Sequence, residues 1–106
     1  MSTCCVVRFV EAGKPLYAFY KHCDGADFKE TLENYLKYFT IGQGIPMTMP
    51  DGEFANGLDC LAAQVIANFK EGAGDIYLCH PSDEGDYTYE ITVEDDRAVL
   101  TTVEDK

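Results

Sequence analysis

Asn56-Gly-Leu-Asp-Cys-Leu-Ala-Ala-Gln-Val-Ile-Ala-Asn-Phe-Lys70 is the stretch on which the reading of this chain turns. Leu58, Leu61, Ala62, Val65, Ile66 and Phe69 recur at the spacing of an apolar helical stripe. Asp59 and Lys70 are its only charges, so even the opposite face (Ala63, Gln64, Ala67) is mild. A helix so short of charge is expected in the core, with a sheet on one side and other structure on the other. Asn56 suits the N-cap, Asp59 the first turn and Gly72 the C′ position.

Upstream of this helix, Cys4 to Val10 reads as a strand with Cys5, Val7 and Phe9 on one face and Val6, Arg8 and Val10 on the other. Glu11-Ala-Gly-Lys14 supplies turn chemistry, Gly13 can take a positive φ, and Leu16 to Lys21 forms the second strand of a hairpin. Asp27-Phe-Lys-Glu30 fits a capping box with Asp27 as N-cap. Phe28, Leu32, Tyr35, Leu36 and Phe39 follow at helical spacing, with Lys29, Glu30, Glu33 and Lys37 on the wet side. Thr40 to Ala55 has no period, and an aperiodic connection of that length is often functional. Its Met47 and Met49 either touch a partner or fold back onto the core.

Downstream, Ile76 to Cys79 is a short strand and His80 to Asp86 a loop. Tyr87, Tyr89, Ile91 and Val93 alternate with Thr88, Glu90, Thr92 and Glu94 as a half-buried strand. Asp95-Asp96-Arg97 turns into a last strand, Ala98 to Val103. The fold expected is α+β, a single domain over residues 1–106. It has an antiparallel sheet of about five strands, in the order β-β-α-α-β-β-β, with two helices packed on one face.

A chain of 106 residues, 46% hydrophobic with 7 Tyr and 6 Phe, has the material for a core. No apolar run approaches the roughly 20 residues of a membrane span, and the N-terminus lacks the pattern of a signal peptide. The expected location is therefore cytoplasmic. Cysteines number 5, and Cys5, Cys60 and Cys79 fall in apolar segments, so reduced and mostly buried thiols are expected. The net charge is −11. Residues 81–106 carry nine acids and two bases, a net of −7, against ten acids and six bases, a net of −4, over residues 1–80. This balance disfavours direct binding to nucleic acid and favours a basic partner, with plain solubility as the bland alternative.

Three constellations bear on chemistry. His22-Cys23-Asp24 has the residue types of an activated nucleophile, but neighbours on a strand point apart, and a turn closed by Asp24-Gly25 is the simpler reading. His22-Cys23 and Cys79-His80, with Cys60 between them, would supply zinc ligands if their strands lay side by side, although no ligand spacing supports it. Gly42-Gln-Gly44 and Gly72-Ala-Gly74 are too short for phosphate loops. No catalytic residue, metal or cofactor is assigned, and the balance leans against an enzyme.

Val7-Arg-Phe9, Tyr20-Lys-His-Cys-Asp-Gly25, Asn56-Gly-Leu-Asp-Cys-Leu-Ala-Ala-Gln64, Gly74-Asp-Ile-Tyr77 and Tyr87-Thr-Tyr-Glu90 occur in this order along the chain. As a set they resemble a family of small uncharacterised phage and prophage proteins with an aromatic-basic-His-x-Asp-Gly turn after the first hairpin. The chain departs from that pattern at Cys23, where a bulky aromatic is common, and at Ala26-Asp27, where Tyr-Pro or a similar pair is common. The resemblance implies a phage or mobile-element origin, and small acidic proteins of that origin are often inhibitors of host defence.

The function expected is that of an acidic, anti-CRISPR-like counter-defence inhibitor. It would act inside the host cell on a host protein, occluding a basic nucleic-acid-binding surface without contacting nucleic acid or membrane itself. The carboxylates expected to carry it are Asp83, Glu84 and Asp86 in one loop and Glu94, Asp95 and Asp96 in another, at opposite ends of one strand. The second reading is a sponge or hydrolase for a nucleotide signal at Tyr20, His22 and Asp24. It would have Tyr17 or Tyr20 stacking on a base and Arg8, Lys14 and Lys21 gathered on the anion. A structural module without ligand is the third.

Overall fold

The computed structural model describes residues 3–22, 24–42 and 53–105. The first hairpin joins β1 (Cys5–Glu11) to β2 (Lys14–Lys21) through Ala12 and Gly13, whose φ values of 52° and 77° make a type I′ turn. Helix α1 (Gly25–Leu36) follows, then the short strands β3 (Phe39–Gly42) and β4 (Glu53–Asn56), and then helix α2 (Gly57–Phe69). Strands β5 (Ile76–Leu78), β6 (Tyr87–Glu94) and β7 (Arg97–Asp105) complete the chain.

The fold is α+β, and five strands form one sheet in the order β5-β2-β1-β6-β7. Three of its pairings are antiparallel, but β1 and β6 at the centre run parallel, Cys5 opposite Tyr87 through Phe9 opposite Ile91. The sheet is therefore mixed rather than antiparallel throughout. The parallel pair arises because β5 attaches outside β2, so the chain must cross back over two strands before it can start β6. Strands β3 and β4 form a separate parallel pair that the sequence reading took as irregular chain. Residues 43–52, with Met47 and Met49, lie outside the described residues.

Both helices pack on one face of the sheet. Phe28, Leu32 and Leu36 of α1 and Leu58, Leu61, Ala62 and Val65 of α2 share a core with Cys5, Val7, Phe9, Phe19, Tyr89 and Ile91. Burying that much apolar surface is the main stabilising term of the domain. Phe69 bridges the helices, with ring centroids 5.1 Å from Phe28 and 5.2 Å from Tyr35. Leu61 and Val65 are fully buried, whereas Ile66 is half-buried and Ala63, Ala67 and Asn68 are exposed. Helix α2 is thus covered on one side rather than two.

Helix boundaries also differ from the sequence reading. Asp24, not Asp27, occupies the N-cap of α1; it is left-handed (φ 60°), and Asp27 falls in the first turn, where the positive helix end favours it. The helix stops at Leu36, and Phe39, in phase with its apolar stripe, is the buried first residue of β3. Helix α2 has Asn56 at its N-cap but ends on Lys70 in extended conformation, before Gly72 is reached.

Candidate functional site

The face of the sheet away from the helices is covered by the crossover, residues 79–86. Its path is fixed by backbone contacts to the strands beneath. Cys79 N–H donates to Ala18 O at 3.3 Å, the Asp83 carbonyl accepts from Arg8 Nη2 at 3.2 Å, and Tyr87 N–H donates to Cys4 O at 3.2 Å. A Cβ built on Gly85 would lie 3.1 Å from the Cys5 backbone, so the chain passes hard against β1 there. Val6, Ala18 and Thr88 are buried on this face.

This placement gives the first acidic cluster an internal role. The Asp86 carboxylate accepts from Cys4 N–H at 3.0 Å and Cys4 Sγ at 3.4 Å, and the Asp83 carboxylate accepts from His80 N–H at 3.0 Å. Glu84 is exposed between them. Asp83 and Asp86 therefore hold the crossover in shape.

The second cluster is arranged differently. Asp95 and Asp96, with φ of 51° and 63°, form the central residues of a type I′ turn between β6 and β7, and Glu94 pairs with Arg97 across it. Because β1 and β6 are parallel neighbours, the β1–β2 turn and the β6–β7 turn emerge at the same end of the sheet. Glu11, which the sequence reading did not single out, ends β1 there and is exposed alongside Glu94, Asp95 and Asp96. None of these four carboxylates takes part in a hydrogen bond or salt bridge among the described residues. Cations near this end include Lys14 (opposite Glu11), Arg97 and Lys37. The Arg97 guanidinium is turned inward, with Nη1 3.4 Å from Lys37 O and 3.5 Å from Phe39 O. Eight residues of β6 separate this end from Asp86, roughly 25 Å at strand rise, so the two clusters do not form one patch.

The residues of the pocket reading are dispersed. Tyr20 and His22 sit on the crossover face, with ring centroids 6.3 Å apart, and Tyr20 lies 6.3 Å from Tyr77. A hydrogen bond with Cys4, followed by burial, holds the Tyr20 hydroxyl above its ordinary pKa. Asp24 lies on the helix side, in a depression lined by Lys21, Asp27, Phe28, Phe69, Glu71 and Asp75 that includes neither Tyr20 nor His22. The cations do not gather either. Arg8 Nη1 is 3.5 Å from Glu90, Lys21 Nζ is 2.8 Å from Asp75 and rests over the Phe28 ring, and Lys14 is at the far end of the hairpin.

The His-x-Asp-Gly turn is accounted for by packing. Gly25 opens α1 against the start of β1, where an added Cβ would lie 2.6 Å from the Cys4 carbonyl carbon. Its N–H donates to Thr3 O at 3.0 Å and its carbonyl accepts the Tyr89 hydroxyl at 2.8 Å. Left-handed Asp24 followed by a glycine with no room for a side chain is what docks α1 on the sheet.

Cys60 and Cys79, two of the candidate ligands, do not converge. Cys60 bonds Gln64 on α2 and packs against the helix-side core, while Cys79 lies across the sheet beside Arg8 and Asp83; Cys23 is outside the described residues. Among the described residues no group of three His, Cys, Asp or Glu is placed to hold a metal ion. Cys4, Cys5, Cys60 and Cys79 are free thiols. Burial pushes the Cys5 thiol up to about 12, and burial with the nearby Asp83 raises that of Cys79. No described helix is long and apolar enough to cross a membrane. No protein-family model, curated protein or solved structure matches the chain.

Proposed function

We propose that the chain is a binding protein that presents carboxylates to a basic surface of a partner protein, where nucleic-acid phosphates would otherwise lie. The observation that carries this reading is the end of the sheet bearing Glu11, Glu94, Asp95 and Asp96. Four exposed acids stand on two adjacent tight turns, and among the described residues none of their carboxylates takes part in a hydrogen bond or salt bridge. Tight turns fix the backbone from which the carboxylates project, so little loop ordering opposes binding. A net charge of −11 adds long-range attraction and speeds encounter with a cation-rich groove.

The partner proposed is a host defence protein such as a CRISPR effector or another nuclease, in keeping with the phage-protein resemblance of the sequence. Glu94, Asp95 and Asp96 are the residues put forward as the contact. Asp83 and Asp86 drop to a supporting role because their carboxylates already have internal partners. The nucleotide sponge or hydrolase has less in its favour, since Asp24 lies on the other side of the sheet from Tyr20 and His22.

Capture from host lysate on the immobilised protein tests the reading, run beside the triple variant Glu94→Gln/Asp95→Asn/Asp96→Asn. The parent should retain a nucleic-acid-binding protein that free DNA or RNA displaces. Retention should fall steeply between about 50 and 200 mM salt, and the folded triple variant should lose it. A partner held equally by parent and triple variant, indifferent to salt, would remove the charge reading.

A further inference from the structure

The two edges of the five-stranded sheet end differently. At β5, Lys70 Nζ donates to the carbonyl oxygens of Gly74 and Ile76, both at 3.0 Å, and lies 5.8 Å from the Tyr77 ring centroid. A lysine laid along a three-residue edge strand keeps other strands off it. At the opposite edge, β7 runs for nine residues, and among the described residues no lysine is laid along it in this way.

The register says which backbone groups of β7 are available. In a two-residue hairpin, Glu94 and Arg97 form the hydrogen-bonded pair beside the turn. Arg97, Val99 and Thr101 therefore direct their N–H and C=O groups to β6, and Ala98, Leu100 and Thr102 direct theirs outward. Strand β3 covers only the head of this edge, where Ile41 N–H donates to Asp96 O at 2.8 Å. Among the described residues, no backbone hydrogen bond outside the β6–β7 ladder reaches Ala98, Leu100 or Thr102. Beside them, Ala98 and Leu100 with Glu33, Leu36 and Lys37 line a shallow groove between α1 and β7 that admits a side chain.

We propose that the β7 edge takes an extended, basic segment of a partner protein as a sixth strand. The backbone sets the shape of the guest: three successive outward residues present alternating donors and acceptors that only another extended chain satisfies. Charge sets its sign. The chain carries −11, and Glu94, Asp95 and Asp96 stand at the head of the open edge. A second copy would bring eleven more negative charges to the same place, whereas lysines or arginines in the guest meet the turn acids. The inference rests on the charge reading above and adds where the partner lies and in what conformation.

Amide hydrogen exchange on the intact protein, read by NMR, tests this with the acetylated peptides KKVTVTV and EEVTVTV as probes. The lysine peptide should slow exchange at Ala98, Leu100 and Thr102 by about tenfold or more, and the glutamate peptide should leave it unchanged. Thr102→Pro removes an outward N–H without touching the β6 ladder and should abolish the protection at Ala98 and Leu100; Ala98→Pro, read at the remaining outward amides, should independently abolish it at Leu100 and Thr102. Equal protection by both peptides, or protection that survives both proline variants, overturns the proposal. Protection that grows with protein concentration in the absence of peptide also overturns it, because the edge then belongs to a second copy. Finally, if neither peptide protects the edge while the parent still holds a basic partner in a salt-dependent way, the sixth strand is wrong and the charge reading stands.

Discussion

The Asp86 carboxylate accepts the Cys4 backbone N–H at 3.0 Å, while the Asp86 N–H points back at Cys4 Sγ at 3.4 Å. This reciprocal clasp joins residues 82 apart in sequence and fastens the end of the crossover to the start of β1. A carboxylate bonded to a backbone donor is held more firmly than a neutral acceptor would be. Asp86→Ala should therefore destabilise the domain by about 1–2 kcal/mol, read as a lower urea midpoint, with Asp86→Asn recovering part of the loss. Once populations are corrected for unfolding, partner binding by the Asp86 variants should match the parent.

Helix α2 offers a contrast between two apolar positions five residues apart. Leu61 is fully buried and Ile66 only half-buried at the edge of the same core. Leu61→Ala should cost about 2–5 kcal/mol in chemical denaturation, and Ile66→Ala clearly less, because solvent already reaches that side chain. Equal losses would mean that both faces of α2 are covered.

The β6–β7 turn places two aspartates at positive φ, where Asn-Gly is the favoured pair. Asp95→Asn with Asp96→Gly should raise stability by about 0.5–1 kcal/mol, measured as a higher thermal midpoint. The same change should weaken salt-dependent partner binding, since two of the exposed acids are gone. A variant more stable yet unchanged in binding would show that the turn acids serve solubility alone.

The Cys5 thiol gives a pH dependence with a definite sign. Burial holds it near 12 in the folded chain against 9.0 for an ordinary thiol. Between those values the unfolded chain releases the proton and the folded chain keeps it, so the unfolded state gains. The contribution is thus complete below pH 9 and is lost progressively toward pH 12. Urea midpoints for the parent should fall over this range more steeply than those of Cys5→Ala, and Cys5 should resist thiol reagents near neutral pH.

What the sequence reveals, and what it hides, follows from the range of each interaction. Alternation in Cys5 to Phe9 and in Tyr87 to Val93, and the stripe from Leu58 to Phe69, are local signals, and each marks the right element. Cys5 facing Tyr87 across a parallel ladder is not local: no periodicity in either strand specifies its neighbour. Phe39 kept the helical phase of Phe28, Leu32 and Leu36 although the chain had already left the helix, because one apolar residue serves either element. The same limit applies to the acids. Asp83, Asp86, Asp95 and Asp96 are alike in sequence, and only the path of the crossover shows that the carboxylates of the first two have backbone partners. Glu11 joins the last two through the parallel pairing alone.

That pairing also bears on how the chain is made. Strand β1, made before every other strand of the sheet, lies at its middle, and its partner β6 begins only at Tyr87. Until β6 is made, one flank of β1 has no neighbour, and the face that residues 79–86 will cover stays open to solvent. A ribosome-bound chain of this protein should thus gain its protease resistance all at once, when β6 and β7 clear the exit tunnel, because the contacts that close the sheet are among the longest-range of the domain.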